Sequence, residues 1–185
     1  MSDLRDERMA LPGDPSDAER IERMIRVDHA GEFGAARIYA GQLAVLGRGP
    51  KGDLLRHMKE QEQVHLDTFA DLIVKRRVRP TALLPLWDIA GFMLGAVTAA
   101  MGERAAMACT VAVEEVIDQH YATQAATLPE EESDLRDVIE RFQAEEQEHR
   151  DIGLANEAER APGYRALTTV IKAGCRAAIA ISERI

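Results

Sequence analysis

With 185 residues, the chain is long enough for one sizeable core but not for two. A formal charge of −9 with no basic stripe excludes nucleic acid as a partner. Cys109 and Cys175 form no Cys-x-x-Cys pair, which excludes a disulfide framework and a rubredoxin-like module and suits a reducing compartment. Aromatic residues make up only 4%, while Ala, Leu, Glu, Arg and Met abound, so the composition favours an all-α fold.

Residues 1–18 mix Asp and Arg with Pro12 and Pro15 and read as a flexible leader, neither signal nor transit peptide, ahead of a single domain over 19–185. Numbering from Met1 without a presequence points to a bacterial cytosolic polypeptide, with a processed organellar chain as the alternative. Ser16 and Glu19 make a capping box that opens a helix predicted to run through Glu32 and Tyr39 to about Leu46, where Gly47-Arg48-Gly49-Pro50 stops it. The next helix starts near Gly52-Asp53 and carries Leu54, Met58, Glu62, His65, Phe69 and Leu72 before Arg76-Arg77. Spacings of three and four put Glu62 and His65 on the apolar face of that helix. An apolar connection follows from Arg77 to Gly102. Beyond it lie a helix from Glu103 to about Leu128 with Glu114 central, and another after Pro129 with Glu146 and His149 near Phe142 and Ile152. From Leu167 to Ile185 an apolar stripe predicts an amphipathic C-terminal helix.

Two Glu-x-x-His pairs, Glu62/His65 and Glu146/His149, each follow an upstream glutamate, Glu32 or Glu114, by about thirty residues. Residues i and i+3 share a helix face, so each pair offers one carboxylate and one imidazole to one ion. Two pairs plus two glutamates from separate helices match the ligand inventory of di-iron and di-manganese carboxylate bundles. Two divalent cations would also cancel four carboxylate charges that could not otherwise stay buried. Either Glu62 or Glu146 could bridge the ions. The pattern is written twice: Ala30-Gly31-Glu32 with Tyr39 seven residues after the glutamate matches Ala112-Val113-Glu114 with Tyr121, and Glu62-Gln63-Val64-His65 matches Glu146-Gln147-Glu148-His149. One helical hairpin is therefore duplicated.

Duplicated antiparallel hairpins that share a site require the chain to travel the length of the bundle between them. About twenty helical residues reach roughly 30 Å, so the connection from Arg77 to Gly102 suffices as a crossover helix. Its Leu86, Trp87, Phe92, Met93 and Leu94 make it more apolar than a covering connection needs to be. Pro85, Asp88, Gly91 and Gly95 argue against a membrane-spanning helix. A buried core helix and an interfacial segment, with Trp87 at headgroup level and Arg76, Arg77 and Arg79 flanking it, are the remaining readings, and the apolar C-terminal stripe favours the interfacial one.

Longer strings carry a resemblance. Val27-Asp28-His29-Ala30-Gly31-Glu32, Arg77-Val78-Arg79-Pro80-Thr81, Pro85-Leu86-Trp87, Ala108-Cys109-Thr110-Val111-Ala112-Val113-Glu114-Glu115 and Asp151-Ile152-Gly153-Leu154 are similar to the demethoxyubiquinone hydroxylases of ubiquinone biosynthesis, and the resemblance covers Ile21 to Ile185. It implies a ferritin-like four-helix bundle with a di-iron centre, two iron ions per chain, and hydroxylation of a polyprenyl quinone ring with O₂. It also implies peripheral attachment to the cytoplasmic side of a bacterial cell membrane, and because such a substrate must be met at the membrane, the crossover with Leu86, Trp87, Phe92, Met93 and Leu94 and the C-terminal helix are expected to serve membrane contact and substrate entry. The family's iron ligands fall on Glu32, Glu62, His65, Glu114, Glu146 and His149, the set already derived, and His120 resembles a functional family position.

Tyr39 and Tyr121 stand about two turns after a ligand glutamate, where a phenol could donate a hydrogen bond or relay an electron. Asp28, one turn before Glu32, could orient a ligand imidazole. No Gly-x-Gly-x-x-Gly follows a strand, so electrons must come from a separate reductase, the quinol or reduced nicotinamide. Other proteins of ubiquinone biosynthesis and a second copy of the chain are further candidate partners. An iron-storage or peroxide-reducing protein on the same bundle is the alternative. The apolar crossover counts against storage, and the missing rubredoxin cysteines count against rubrerythrin-like peroxide chemistry. A helical adaptor would leave the doubled ligand set without a purpose.

Overall fold

A computed structural model describes residues 14–185. It contains α1 (Asp17–Leu46), α2 (Gly52–Arg76), α3 (Leu84–Ala100), α4 (Glu103–Thr127), α5 (Ser133–Ala155) and α6 (Tyr164–Ser182), with two single 3₁₀ turns and no strand among the described residues. The expected leader lies mostly outside the described residues, and its last two positions, Asp17 and Ala18, already belong to α1.

Local chemistry sets the helix ends. The Glu19 N–H donates to Ser16 Oγ at 3.3 Å and the Ser16 N–H donates to Glu19 Oε2 at 2.8 Å, closing the capping box of α1. α2 stops at Arg77, whose φ of 55° turns the chain left-handed while Lys75 and Arg76 face the negative helix end. Gly102 opens α4 at φ 115°, a conformation that glycine adopts without strain. α5 begins later than the position of Pro129 suggests. Glu130–Glu132 first make a 3₁₀ turn, and Arg76 pins it by donating to both oxygens of Glu132 at 2.8 and 2.6 Å.

Side-chain contacts give the helix directions. Tyr39 of α1 meets Glu114 of α4 while Tyr121 meets Glu32, so α1 and α4 are antiparallel. His65 of α2 meets Glu145 of α5 while Gln61 meets His149, so α2 and α5 are antiparallel as well. The short connection between α1 and α2 makes them antiparallel, so α2 runs parallel to α4 and the chain must cross back between them. This is the ferritin-like bundle of two hairpins, α1–α2 and α4–α5. Its apolar interior has one cluster around Phe69, Ile139 and Phe142 and another around Leu55, Met58 and Met107, with the polar centre held between the helices.

The crossover helix α3 lies along α1 with almost nothing between the backbones. A Cβ on Gly95 would sit 1.9 Å from the Ile38 carbonyl oxygen, and one on Gly41 would sit 2.1 Å from that of Phe92. Gly91 and Gly95, which read from the sequence as helix-weakening, are contact points. With α6, α3 forms an outer layer that leaves Leu86, Ile89, Met93, Val97 and Val170 exposed. Among the described residues, no helix is long and apolar enough to cross a membrane. Trp87 is half-buried and its indole N–H donates to Ser182 Oγ of α6 at 3.1 Å, as a partly buried indole needs an acceptor. Leu94 faces inward, while Phe92 lies half-buried under the Arg37 guanidinium, 5.3 Å from its ring centre. Of the five residues named for membrane contact or substrate entry, Leu86 and Met93 are exposed, whereas Trp87 and Leu94 line a cavity.

Candidate metal centre

The six sequence-derived residues converge. Donor atoms of Glu32, Glu62, His65 and Glu146 lie within 4.8 Å of one another, as do those of Glu62, Glu114, Glu146 and His149. All six residues are buried. Glu62 and Glu146 belong to both groups, the arrangement required for two carboxylates to touch two cations. α2 and α5 each supply one glutamate and one histidine and α1 and α4 one glutamate each, all from faces that also carry core residues, which is why charged side chains end up inside.

Each histidine turns Nδ1 inward. His65 Nδ1 is 3.1 Å from Glu146 Oε1 and 3.5 Å from Glu32 Oε2, and His149 Nδ1 is 3.1 Å from Glu62 Oε1 and 3.2 Å from Glu146 Oε2. The 3.1 Å approach to Glu62 lacks hydrogen-bond alignment, for both Glu62 oxygens are buried without a hydrogen-bond partner. Glu32 Oε2 and Glu114 Oε2 are likewise unpartnered. Four orphaned carboxylate oxygens aimed at a common centre, with two imidazole nitrogens, fit a pair of divalent cations.

The electrostatics ask for the same positive charge. Burial pushes the Glu62 and Glu114 carboxyls well above the usual carboxylate range, and the neighbouring Glu146 charge adds to it. Glu32 is also raised, again chiefly by burial. Burial acts on Glu146 too, yet hydrogen bonds from His149 and His65 outweigh it and hold that group at about 2. Both phenols are raised by burial, so they stay protonated as donors. Burial pushes the Cys109 and Cys175 thiols up to about 12 and about 11, which keeps them out of thiolate chemistry.

The tyrosines cross over. Tyr39 donates to Glu114 Oε1 at 3.0 Å and Tyr121 donates to Glu32, so each phenol fixes the glutamate of the opposite hairpin and not the one on its own helix. Asp28 does not orient a ligand imidazole. One turn from Glu32 it already faces the far part of α4, where Gln124 Nε2 donates to it at 2.8 Å and His120 Nε2 lies 3.3 Å away. The outer nitrogens of the ligand histidines are instead met by two residues absent from the sequence reading: His65 Nε2 by Glu145 Oε2 at 2.6 Å, and His149 Nε2 by Gln61 Oε1 at 3.1 Å. Each stands immediately before the Glu-x-x-His glutamate of the other hairpin, and that adjacency was the available signal.

Beside the centre is a cavity of about 420 Å³ between α1, α3, α4 and α6, within the usual size range of small-molecule sites. Its walls are mostly apolar, including Ile38, Leu94, Trp87 and Ile171, and its polar groups are Asp28, Glu32, His120, Tyr121 and Ser182. Val170 on its lip is among the exposed residues of the outer layer, so the cavity runs from that layer to Glu32. Neither Glu114 nor Tyr39 lines it.

Residues 19–182 match the family described as ubiquinone biosynthesis protein COQ7. The chain is 57% identical over 176 residues to the 3-demethoxyubiquinol 3-hydroxylase of Rhodospirillum rubrum, covering 95% of this chain and 83% of that one. It is 55% identical over 169 residues to the human mitochondrial NADPH-dependent 3-demethoxyubiquinone 3-hydroxylase, covering 89% and 78% of the two chains. The 5-demethoxyubiquinone hydroxylase of Saccharomyces cerevisiae mitochondria is 43% identical over 189 residues, covering 92% and 81%. A duplicated set of buried carboxylates and imidazoles, an apolar cavity ending on one of those carboxylates, and a match along nearly the whole length lead to one assignment: the chain belongs to the COQ7 family of ubiquinone biosynthesis proteins.

Proposed function

We propose that the chain is a di-iron monooxygenase that hydroxylates the ring of demethoxyubiquinone or demethoxyubiquinol with O₂ at a membrane surface. The observation that carries this reading is the apolar cavity that joins an exposed apolar layer to Glu32 of the buried cluster. The names of the relatives supply the substrate and the reaction class.

In this reading Glu32, His65, Glu114 and His149 would hold two irons together with Glu62 and Glu146, the carboxylates common to both donor groups. Two bound irons would supply the paired electrons that reduce O₂ so that one oxygen atom enters the ring and the other leaves as water. The protein's own groups do the rest. Trp87, Leu94 and Ile38 shape a dry slot for the ring, Tyr121 holds Glu32 by its phenol, and α3 and α6 keep water from the centre. His120, braced by Asp28, lines both the cavity and an outer polar pocket with Arg20 and Arg23, a position from which an imidazole can move a proton between solvent and the ring. Among electron donors, the mammalian relatives, named as NADPH-dependent enzymes, favour reduced nicotinamide.

The exposed face of Leu86, Ile89, Met93 and Val97 supports docking on one leaflet, where a polyprenyl tail resides. Iron content and ring hydroxylation measured together test the proposal. A hydroxylase should hold about two irons per chain and lose turnover in Glu114→Ala, and should restore the product quinone in a strain lacking its own hydroxylase. Uptake of many irons per chain without ring hydroxylation would instead establish the storage alternative.

A further inference from the structure

The two halves of the centre are near copies except behind the histidines. His65 and His149 present Nδ1 to the cluster, and with a cation there each Nε2 must carry the proton. For His65 that N–H meets a carboxylate, Glu145 Oε2 at 2.6 Å; for His149 it meets a neutral amide oxygen, Gln61 Oε1 at 3.1 Å. A hydrogen bond to a carboxylate is shorter and stronger than one to an amide, and it makes the opposite ring nitrogen a better donor to metal. The same side of the cluster reaches the apolar cavity, since Glu32 lines it and Glu114 does not.

We infer that Glu145 is a positioning residue that makes the two cation sites unequal, so that the site built on Glu32 and His65, which faces the cavity, takes its cation first and holds it more tightly. This rests on the reading of the cluster as a two-cation centre. Two features set its size. The two bridging carboxylates are common to both sites and cancel from the comparison, leaving Glu145 against Gln61 as the main difference in charge. Glu145 is 33% exposed, so water screens part of its charge. An effect at the lower end of the 10–100-fold range for groups that orient metal ligands is therefore expected.

The test titrates the full-length, metal-stripped protein with Co²⁺, following binding calorimetrically and by the visible spectrum of the bound ion. The wild type should bind two Co²⁺ in two unequal steps. Glu145→Gln keeps an oxygen acceptor of the same shape for His65 and removes only the charge, so it should weaken the tighter step about tenfold, leave the weaker step nearly unchanged and bring the two together. The reciprocal Gln61→Glu should strengthen the weaker step. Thermal melting of both variants identifies any loss of fold, and the Mössbauer spectrum of the ⁵⁷Fe-loaded reduced protein should pass from two quadrupole doublets in the wild type towards one in Glu145→Gln. Two equal steps in the wild type, or a Glu145→Gln variant whose steps are both unchanged or both weakened alike, overturns the inference and leaves the two-cation centre standing. Fewer than two Co²⁺ per wild-type chain overturns both.

Discussion

Between the hairpins, Glu32, Glu62, Glu114 and Glu146 are at most 1% exposed, whereas on the outer layer Ile89 is 66% exposed and Val170 71%. This reverses the usual placing of charge and grease. The contrast separates two kinds of constraint. The interior is polar because it gathers six potential metal ligands, at a cost in desolvation that bound cations would offset. The outer layer is apolar because it covers little of the core, and its residues are free to meet something apolar outside.

Removing a shared carboxylate should have the largest effect. Glu146→Ala deletes a donor common to both cation groups, and turnover should fall by more than the roughly 10–100-fold that loss of a ligand-orienting group costs. Metal analysis and ring hydroxylation of the same sample check this, and full activity without Glu146 would break the distinction between interior and layer. Loading cations should also release protons, because Glu62 and Glu114 bind protons above the usual carboxylate range and must give them up as ligands. Calorimetry in buffers of different ionisation enthalpy reads that number.

Next in size is Gly95→Val. With a Cβ only 1.9 Å from the Ile38 oxygen, α3 must shift away from α1. A loss of about 1–3 kcal/mol or more is expected, which for a domain of this length lowers the melting temperature by several degrees. The exposed face tests the other region alone. Met93→Lys should leave stability within about 0.5 kcal/mol but reduce liposome binding about tenfold, as expected when one buried apolar side chain is withdrawn from lipid. Equal liposome binding would remove the functional meaning of the layer.

The smallest effect belongs to the ion pair outside both regions. Arg76 holds the Glu132 carboxyl below its ordinary range, so the pair stabilises the fold above the normal glutamate titration and loses that contribution as pH falls through the lowered folded value. Arg76→Ala should cost at most about 1 kcal/mol, measured by denaturant unfolding at pH 7, and the difference from wild type should shrink in acid.

Ligand positions were legible in sequence because helical periodicity places Glu62 and His65 beside Met58 and Phe69, and because duplication repeats the pattern at Glu146 and His149. Helix ends were legible for the same local reason: Ser16 with Glu19 is a short-range device. Contacts between helices were not. Tyr39 lies two turns beyond Glu32 on one helix, yet it bonds Glu114, because a phenol extends across the bundle. Gln61 and Glu145 sit one residue before a ligand, about 100° round the helix, and only the facing hairpin brings them to an imidazole. The apolar crossover and C-terminal helices pointed to an entry path, and Trp87 and Leu94 do line the cavity, but its shape was not legible, being space that four helices leave between them.

Backbone contact between α1 and α3 at Gly41, Gly91 and Gly95 leaves no side-chain padding behind the ligand-bearing helix. The partition between the exposed layer and the buried cluster is thus as thin as two packed helices allow. In the proposed reading, a quinone ring would cross so thin a partition while its long tail stayed among acyl chains, which would spare the protein from extracting an insoluble molecule whole. Since rigid main chain and not adjustable rotamers sets that thickness, the depth of the socket is built into the fold.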